Sequence, residues 1–325
     1  MLRSLPERRS KVALKSAAES KDLKTVWIAL ACNIVVAIAK LVAGLLTGSA
    51  AMLAEAAHSS ADSINEVLLG ISLKRSLKPA DGDHPFGYGR ERFLWAFLAA
   101  IASFTIGGCF SVGLAIRELS LHTPPQNQKV SWIVLGIAFL ADGASWVQSF
   151  HQLREDAGKL KVPVWKYLRD TSDPVVRAIV VEDSAALVGI VLAAGGLLAT
   201  RISGQSLPDA IASLLIGVLL AVTAVGLALT LAGFLIGRAL PHQSVAEIQK
   251  LMEASPAIDA IVGLHTVYIG PGEAIVLAKI TPASASVAEF AAGMDALDHR
   301  IREAVPLVAD VFVDVTARKP DESAP

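Results

Sequence analysis

The sequence predicts an all-α membrane domain of six transmembrane helices followed by a small α+β domain in the cytoplasm. Three observations carry this expectation. The 325 residues are 53% hydrophobic with a mean hydropathy of +0.54, too apolar for an ordinary soluble globule. Six apolar stretches reach the roughly 20 residues that a helix needs to cross a bilayer. After Pro241 the long apolar runs stop and shorter alternating segments begin. The net charge of -1 offers no basic surface, so nucleic acid is not an expected partner. Cys32 and Cys109 sit singly in apolar runs, form no CxxC pair, and read as small packing residues.

The first 24 residues are polar and mix Arg and Lys with Glu7, Glu19 and Asp22, unlike an acid-poor transit peptide. The spans are expected near 25–47, 51–73, 93–117, 130–150, 174–199 and 209–236. The hinge Thr47-Gly-Ser-Ala50 is so short that the first two helices should be antiparallel neighbours. Basic residues orient the chain. Arg3, Arg8, Arg9, Lys11, Lys15, Lys21 and Lys24 precede the first span. Lys74, Arg75, Lys78, Arg90 and Arg92 follow the second, and Arg154, Lys159, Lys161, Lys166 and Arg169 follow the fourth. The opposite loops hold only Arg117, Lys129 and Arg201. Both termini are therefore expected in the cytoplasm.

Residues 25–240 thus read as the transmembrane domain, 241–317 as the soluble domain and 318–325 as a disordered tail. The soluble part reads as a helix over 244–254, a strand over 258–269, the turn Gly270-Pro-Gly272 and a strand over 274–281. A helix over 286–304 follows, with Ser286 and Glu289 as a capping box, then a strand over 311–315. This α-β-β-α-β order suits a two-layer sandwich.

Two clusters of ionisable residues interrupt the apolar spans, where such groups are costly, usually paired and usually functional. One is Glu55-Ala-Ala-His58-Ser-Ser-Ala-Asp62 and the other is Glu182-Asp183. Glu55, His58 and Asp62 share one helical face. An imidazole beside a carboxylate is a donor pair that Zn²⁺ favours. Asp62 and Asp183 both lie about ten residues, or about 15 Å, into their helices from opposite sides, so they reach the same depth. The competing structural reading makes His58 and Asp62 a hydrogen-bonded pair and ties Asp183 or Glu182 to Lys40 of the first span. Lys40 alternatively snorkels toward the cytoplasmic interface. Asn33 and Asp142 read as interhelical hydrogen-bonding groups, and Asp209 as the acid that stabilises the start of its own helix.

The chain resembles the cation diffusion facilitator family of divalent-metal/proton antiporters. The segment Gly48-Ser-Ala-Ala-Met-Leu-Ala-Glu-Ala-Ala-His-Ser-Ser-Ala-Asp62 is similar to the family's second-span signature. Asp81-Gly-Asp-His-Pro-Phe-Gly-Tyr-Gly-Arg-Glu91 is similar to the loop that follows it, and Pro208-Asp-Ala-Ile-Ala-Ser213 to the start of the sixth span. The stretch from Asp173 to Ala186 looks closest to the mitochondrial-type zinc transporter branch.

The resemblance implies a transporter rather than an enzyme, with Zn²⁺ as transported substrate, protons as counter-substrate and no cofactor. Fe²⁺, Mn²⁺ or Co²⁺ is the alternative cargo. Two other classes stay open: a proton-coupled organic-cation exporter and a non-transporting docking protein. It further implies a homodimer in the bilayer, in a bacterial inner membrane, with a metallochaperone-like C-terminal domain. The implied intramembrane ligands are His58, Asp62 and Asp183. The family's fifth-span histidine position holds Ile179. Glu55 is favoured as replacement, with Glu182, rotated about 100° from Asp183, or a bound water as the other options. Asp81 and His84 match a second metal site in which Tyr88 stands where a histidine often sits. In the C-terminal domain His265 and Asp314 match ligand positions while Ala278 and Thr316 do not. Arg90 matches the basic half of a charged interlock whose acidic half is replaced by Gly237.

Overall fold

A computed structural model of the chain describes residues 30–121, 127–159, 162–170, 174–283 and 286–317. The expected N-terminal segment 1–24, the first residues of the first span and the tail 318–325 lie outside them. Five stretches are long and apolar enough to cross a membrane: Leu30–Thr47, Glu91–Ser120, Lys129–Gly158, Val176–Ser203 and Leu207–Ile236. The remaining long helix, Ala50–Ser76, has 27 residues but falls short in apolarity, since Glu55, Asp62 and Glu66 all lie on it. Six expected spans thus become five that qualify by composition and one that carries the polar groups.

Leu30–Thr47 is α1 and Ala50–Ser76 is α2. Gly48, at φ 73°, makes the turn between them, a backbone that glycine adopts without a Cβ penalty. The pairs Gly44 with Leu53, Lys40 with Glu55 and Ser59, and Asn33 with Glu66 step outward from that hinge, as antiparallel neighbours must. The third crossing segment is α3 (Glu91–Ala102), a π-helical stretch Ser103–Cys109, and α4 (Phe110–Leu121). Next come α5 (Lys129–Lys159) and the short α6 (Val164–Asp170). The apolar reading ended the fourth span near residue 150, but α5 continues for two further turns through His151, Arg154 and Glu155. Hydropathy marks where lipid ends, not where helical hydrogen bonding ends. Then follow α7 (Pro174–Ser203) and α8 (Leu207–Ile236).

Contacts divide the described chain into two compact units. One contains most of the spans. Its core gathers Met52, Leu135, Ile190, Leu197, Ile216 and Leu220 with alanines at the close helix approaches.

The other unit consists of Arg75–Leu94, Arg169–Pro174 and the chain from Thr230 onward. It holds α9 (His242–Glu253), β1 (Ile258–Gly270), β2 (Glu273–Pro282), α10 (Val287–Ala304) and β3 (Val308–Val315). This is the expected α-β-β-α-β order. The sheet order is β1-β2-β3, antiparallel across the hairpin and parallel across the α10 crossover. Ile248 and Met252 of α9 and Leu297 and Ile301 of α10 bury one face against Val276, Ala278 and Ile280. Ser286 caps α10 by accepting the Glu289 N–H, the N-cap bond of the expected capping box.

The loop after α2 packs within this second unit. Gly89 lies so close to the β1 end that a Cβ there would sit 2.7 Å from the Ile269 carbonyl oxygen. Arg90 Nε donates to the Tyr268 carbonyl at 3.3 Å, and Phe93 stacks on Phe234, centroids 4.9 Å apart. Arg90 is therefore held by backbone. Gly237, at φ 120°, turns the chain out of α8.

Candidate intramembrane metal site

The site is built on one face of α2. Two residues fix where that helix begins. Ser49 Oγ accepts the Met52 N–H at 3.1 Å, an N-cap bond. Asp209, in the first turn of α8, accepts from Ser49 Oγ at 2.7 Å and from the Ala51 N–H at 3.3 Å. Asp209 stands, as expected, in the first turn of its own helix, and its carboxylate also serves the start of α2. A fully buried carboxylate goes to the nearest orphan N–H donors, and the α2 N-terminus supplies them.

Four acidic or basic side chains recur along α2 at helical spacing: Glu55, His58, Asp62 and Glu66. His58 is 1% exposed, and neither ring nitrogen has a hydrogen-bond partner. Its Nδ1 lies 3.5 Å from Asp62 Oδ1, an ion-pair distance rather than a hydrogen bond. Asp62 Oδ1 is likewise buried without a hydrogen bond. Buried polar atoms are nearly always satisfied, so these two groups on one face are candidate metal donors. Asn33 of α1 donates to Glu66 Oε1 at 2.9 Å, which is the interhelical role expected of it. Glu66 escaped the sequence reading, although its i+4 spacing from Asp62 was the available signal.

Across from α2, the α7 pair splits. Glu182 Oε1 accepts from Asn65 Nδ2 at 2.7 Å, which ties the α7 cluster directly to α2. Asp183 Oδ2 accepts from Ser145 Oγ at 3.2 Å and Ser149 Oγ at 3.0 Å, both on α5. Neither acid pairs with Lys40.

Lys40 is completely buried. Its ammonium donates to Glu55 Oε2 at 2.9 Å and Ser59 Oγ at 2.9 Å, and lies 3.6 Å from Asp142 Oδ2. Glu55, favoured from sequence as the fourth ligand, is thus bonded to a lysine. Asp142 does join helices, but as an ion pair to that same lysine. Among the described residues, no three His, Cys, Asp or Glu side chains converge closely enough to hold a metal ion together.

The other two candidate sites are self-satisfied. Asp81 Oδ2 accepts from the Tyr88 hydroxyl at 2.7 Å, and Oδ1 accepts the N–H groups of Asp83 and His84 at 3.1 and 2.8 Å. His84 lies against the Tyr88 ring, centroids 4.1 Å apart. The Tyr88 bond, and then the His84 N–H, hold the Asp81 carboxyl below its ordinary value, and the same bond pushes the Tyr88 phenol up. The Tyr88 hydroxyl thus engages the Asp81 carboxylate directly. On the sheet, Asp314 pairs with Lys279 at 3.3 Å, and His265 is exposed opposite Leu277.

Residues 26–236 match the family described as cation efflux transmembrane domain. Metal tolerance protein C4 of Arabidopsis thaliana is 31% identical over 249 residues, covering 77% of this chain and 54% of that protein. The mitochondrial proton-coupled zinc antiporter SLC30A9 of Mus musculus is 29% identical over 250 residues, covering 77% of this chain and 44% of its own. The transporter MJ0449 of Methanocaldococcus jannaschii is 25% identical over 270 residues, 82% of this chain and 88% of its own. The chain thus spans about half the length of the first two relatives.

Proposed function

The chain belongs to the cation efflux, or cation diffusion facilitator, family of membrane metal transporters, and from that premise we propose that it exports a divalent transition metal, Zn²⁺ foremost, in exchange for protons. The observation that carries this reading is the unspent pair of the buried His58 and half-buried Asp62, on the α2 face that Asn65 ties to Glu182. An imidazole nitrogen with carboxylate oxygens favours Zn²⁺, Co²⁺ or Fe²⁺ over Mn²⁺. The proposed ligands are His58, Asp62 and Asp183, with Glu182 completing a four-coordinate shell. Glu182 and Asp183 are held by neutral amide and hydroxyl donors, which a metal displaces more readily than an ammonium. The proton-coupled zinc antiporter SLC30A9, similar over 77% of this chain, supports the same substrate and coupling.

The chemistry of exchange follows from the donor set. Metal ligands bind the ion through lone pairs that protons also seek, so metal and proton compete for the same atoms. Loading from the cytoplasmic side releases protons from these groups. Rocking of the spans turns them outward, where protons displace the metal and return inward. The protein works as a homodimer in the inner membrane with both termini cytoplasmic. Asp81 and His84, tied to Tyr88, and the sheet pair Asp314 and Lys279 serve the fold of the second unit rather than transport.

Purified protein in vesicles, assayed with Zn²⁺, Fe²⁺, Mn²⁺, Co²⁺ and an organic cation against an interior pH dye, tests the reading. Zinc-dependent proton flux exceeding that for Mn²⁺ is expected. Flux with the organic cation alone, or none with any metal, would overturn it.

A further inference from the structure

Lys40 is a buried cation with no place in the proposed ligand set. It stands in α1 between Ala39 and Leu41, and a lone lysine in that position is costly unless its charge is matched. Its contacts bracket the site. Glu55 lies one turn before His58 on α2, Ser59 follows His58 directly, and Asp142 comes from α5. Two of the three ammonium protons are given to Glu55 and Ser59 as hydrogen bonds, and Asp142 adds an ion-pair contact at 3.6 Å.

Glu55 is fixed from its other side as well. Its other oxygen, Oε1, occupies the space beside α7 that a Cβ at Gly189 would need. Glu55 is therefore clamped between the Lys40 ammonium and a bare stretch of α7. For Glu55 to join His58 on a metal with both oxygens, it would have to abandon Lys40 inside the membrane.

We infer that Lys40 is a specificity-determining residue, a tethered cation that takes the place of metal charge on Glu55 and Asp142 and keeps both out of the ligand set. This rests on the proposed transport site. Without Lys40, Glu55 and Asp142 would be free to add their carboxylates to those of Asp62, Glu182 and Asp183. Such a donor set would draw more than one divalent ion, or hold one too firmly for protons to release. With Lys40 in place, binding is limited to one ion on His58, Asp62 and the α7 carboxylates.

Co²⁺ titration of the purified full-length protein tests this, because the visible band of bound Co²⁺ reports its ligands. Glu55→Gln is expected to leave the band in place and the affinity within about threefold. Lys40→Gln frees Glu55, so either the bound Co²⁺ per chain or the affinity should rise, the latter by about tenfold or more. His58→Ala should abolish the wild-type band. A Glu55→Gln band that shifts, or an affinity that falls as in His58→Ala, makes Glu55 a ligand and overturns the inference. A Lys40→Gln protein with wild-type stoichiometry and affinity overturns it too. Should His58→Ala keep the wild-type band, the site itself is misplaced, and the transport reading fails with the inference. Where Lys40→Gln does not fold, the double variant Lys40→Met/Glu55→Leu removes the pair together; it should keep the wild-type band and one ion per chain, and losing either counts against the inference.

Discussion

Replacing Lys40 by methionine removes the positive member of a pair in which both side chains are 0% exposed. Glu55 then keeps no hydrogen-bonding partner: Oε2 loses its 2.9 Å bond and Oε1 already has none. Breaking a buried ion pair from one side costs about 3–5 kcal/mol, because a charge is left uncompensated. Asp142, 17% exposed, loses a more distant contact and adds less. Glu55→Leu alone strands the ammonium less completely, since Ser59 and Asp142 remain, and should cost about 2–3 kcal/mol. The double variant Lys40→Met/Glu55→Leu leaves apolar groups in an apolar place and should cost about 1 kcal/mol or less. Thermal unfolding of metal-free protein in detergent reads the cycle, at about 2–4 °C per kcal/mol for a chain of this size. Lys40→Met should melt roughly 10 °C lower, and the double variant should recover most of that loss. If the two single effects simply add, to within about 0.5 kcal/mol, the pair is not coupled and the clamp does not exist.

Asp209→Ala removes two bonds to the start of α2 and should destabilise the protein by about 2 kcal/mol, whereas Asp209→Asn, which can still accept from the Ala51 N–H, should cost less; thermal midpoints compare them. Gly189→Ala drives a methyl into Glu55 Oε1 and should cost about 1–3 kcal/mol, a cost that should vanish when the same change is made in a Glu55→Ala background and compared with Glu55→Ala alone in the same assay. Tyr88→Phe deletes the hydroxyl that holds the Asp81 carboxyl low, so the Asp81 titration midpoint followed by NMR should move up. The sign follows from the depressed folded value: this contribution is present above the unfolded pKa of about 3.9 and is lost as pH falls through the lower folded value, so Tyr88→Phe should leave stability at pH 7 lower and its acid dependence weaker.

Much of the fold was legible because it rests on local periodicity. The apolar stretches located the end of α1 and both ends of α7 and α8 to within a few residues. The Gly270-Pro-Gly272 turn and the alternation around it placed the β1–β2 hairpin. The polar end of α5 and the short α6 were missed because a helix leaving the bilayer loses the apolar signal while keeping its hydrogen bonds. The α2 face was legible for the same periodic reason, and Glu66 was on it unnoticed. What sequence spacing did not carry were partners distant along the chain. Asp209 reaches Ser49 and Ala51 from the first turn of its own helix. Lys40 chose Glu55 and Asp142 over Asp183. These pairings depend on which helices become neighbours. One theme links three positions: Glu55, Asp81 and Asp314, each of ligand type, are held by Lys40, Tyr88 and Lys279. In each case the acid is met by a donor from the same chain.

Proteoliposomes with an outward-directed zinc gradient and an enclosed pH dye test the central claim most directly. The wild-type protein should move zinc and protons in opposite directions, and Asp183→Asn, which keeps the side-chain volume but weakens the proposed fifth-span ligand, should abolish both movements together. Zinc flux that persists at the wild-type rate in Asp183→Asn would contradict the account.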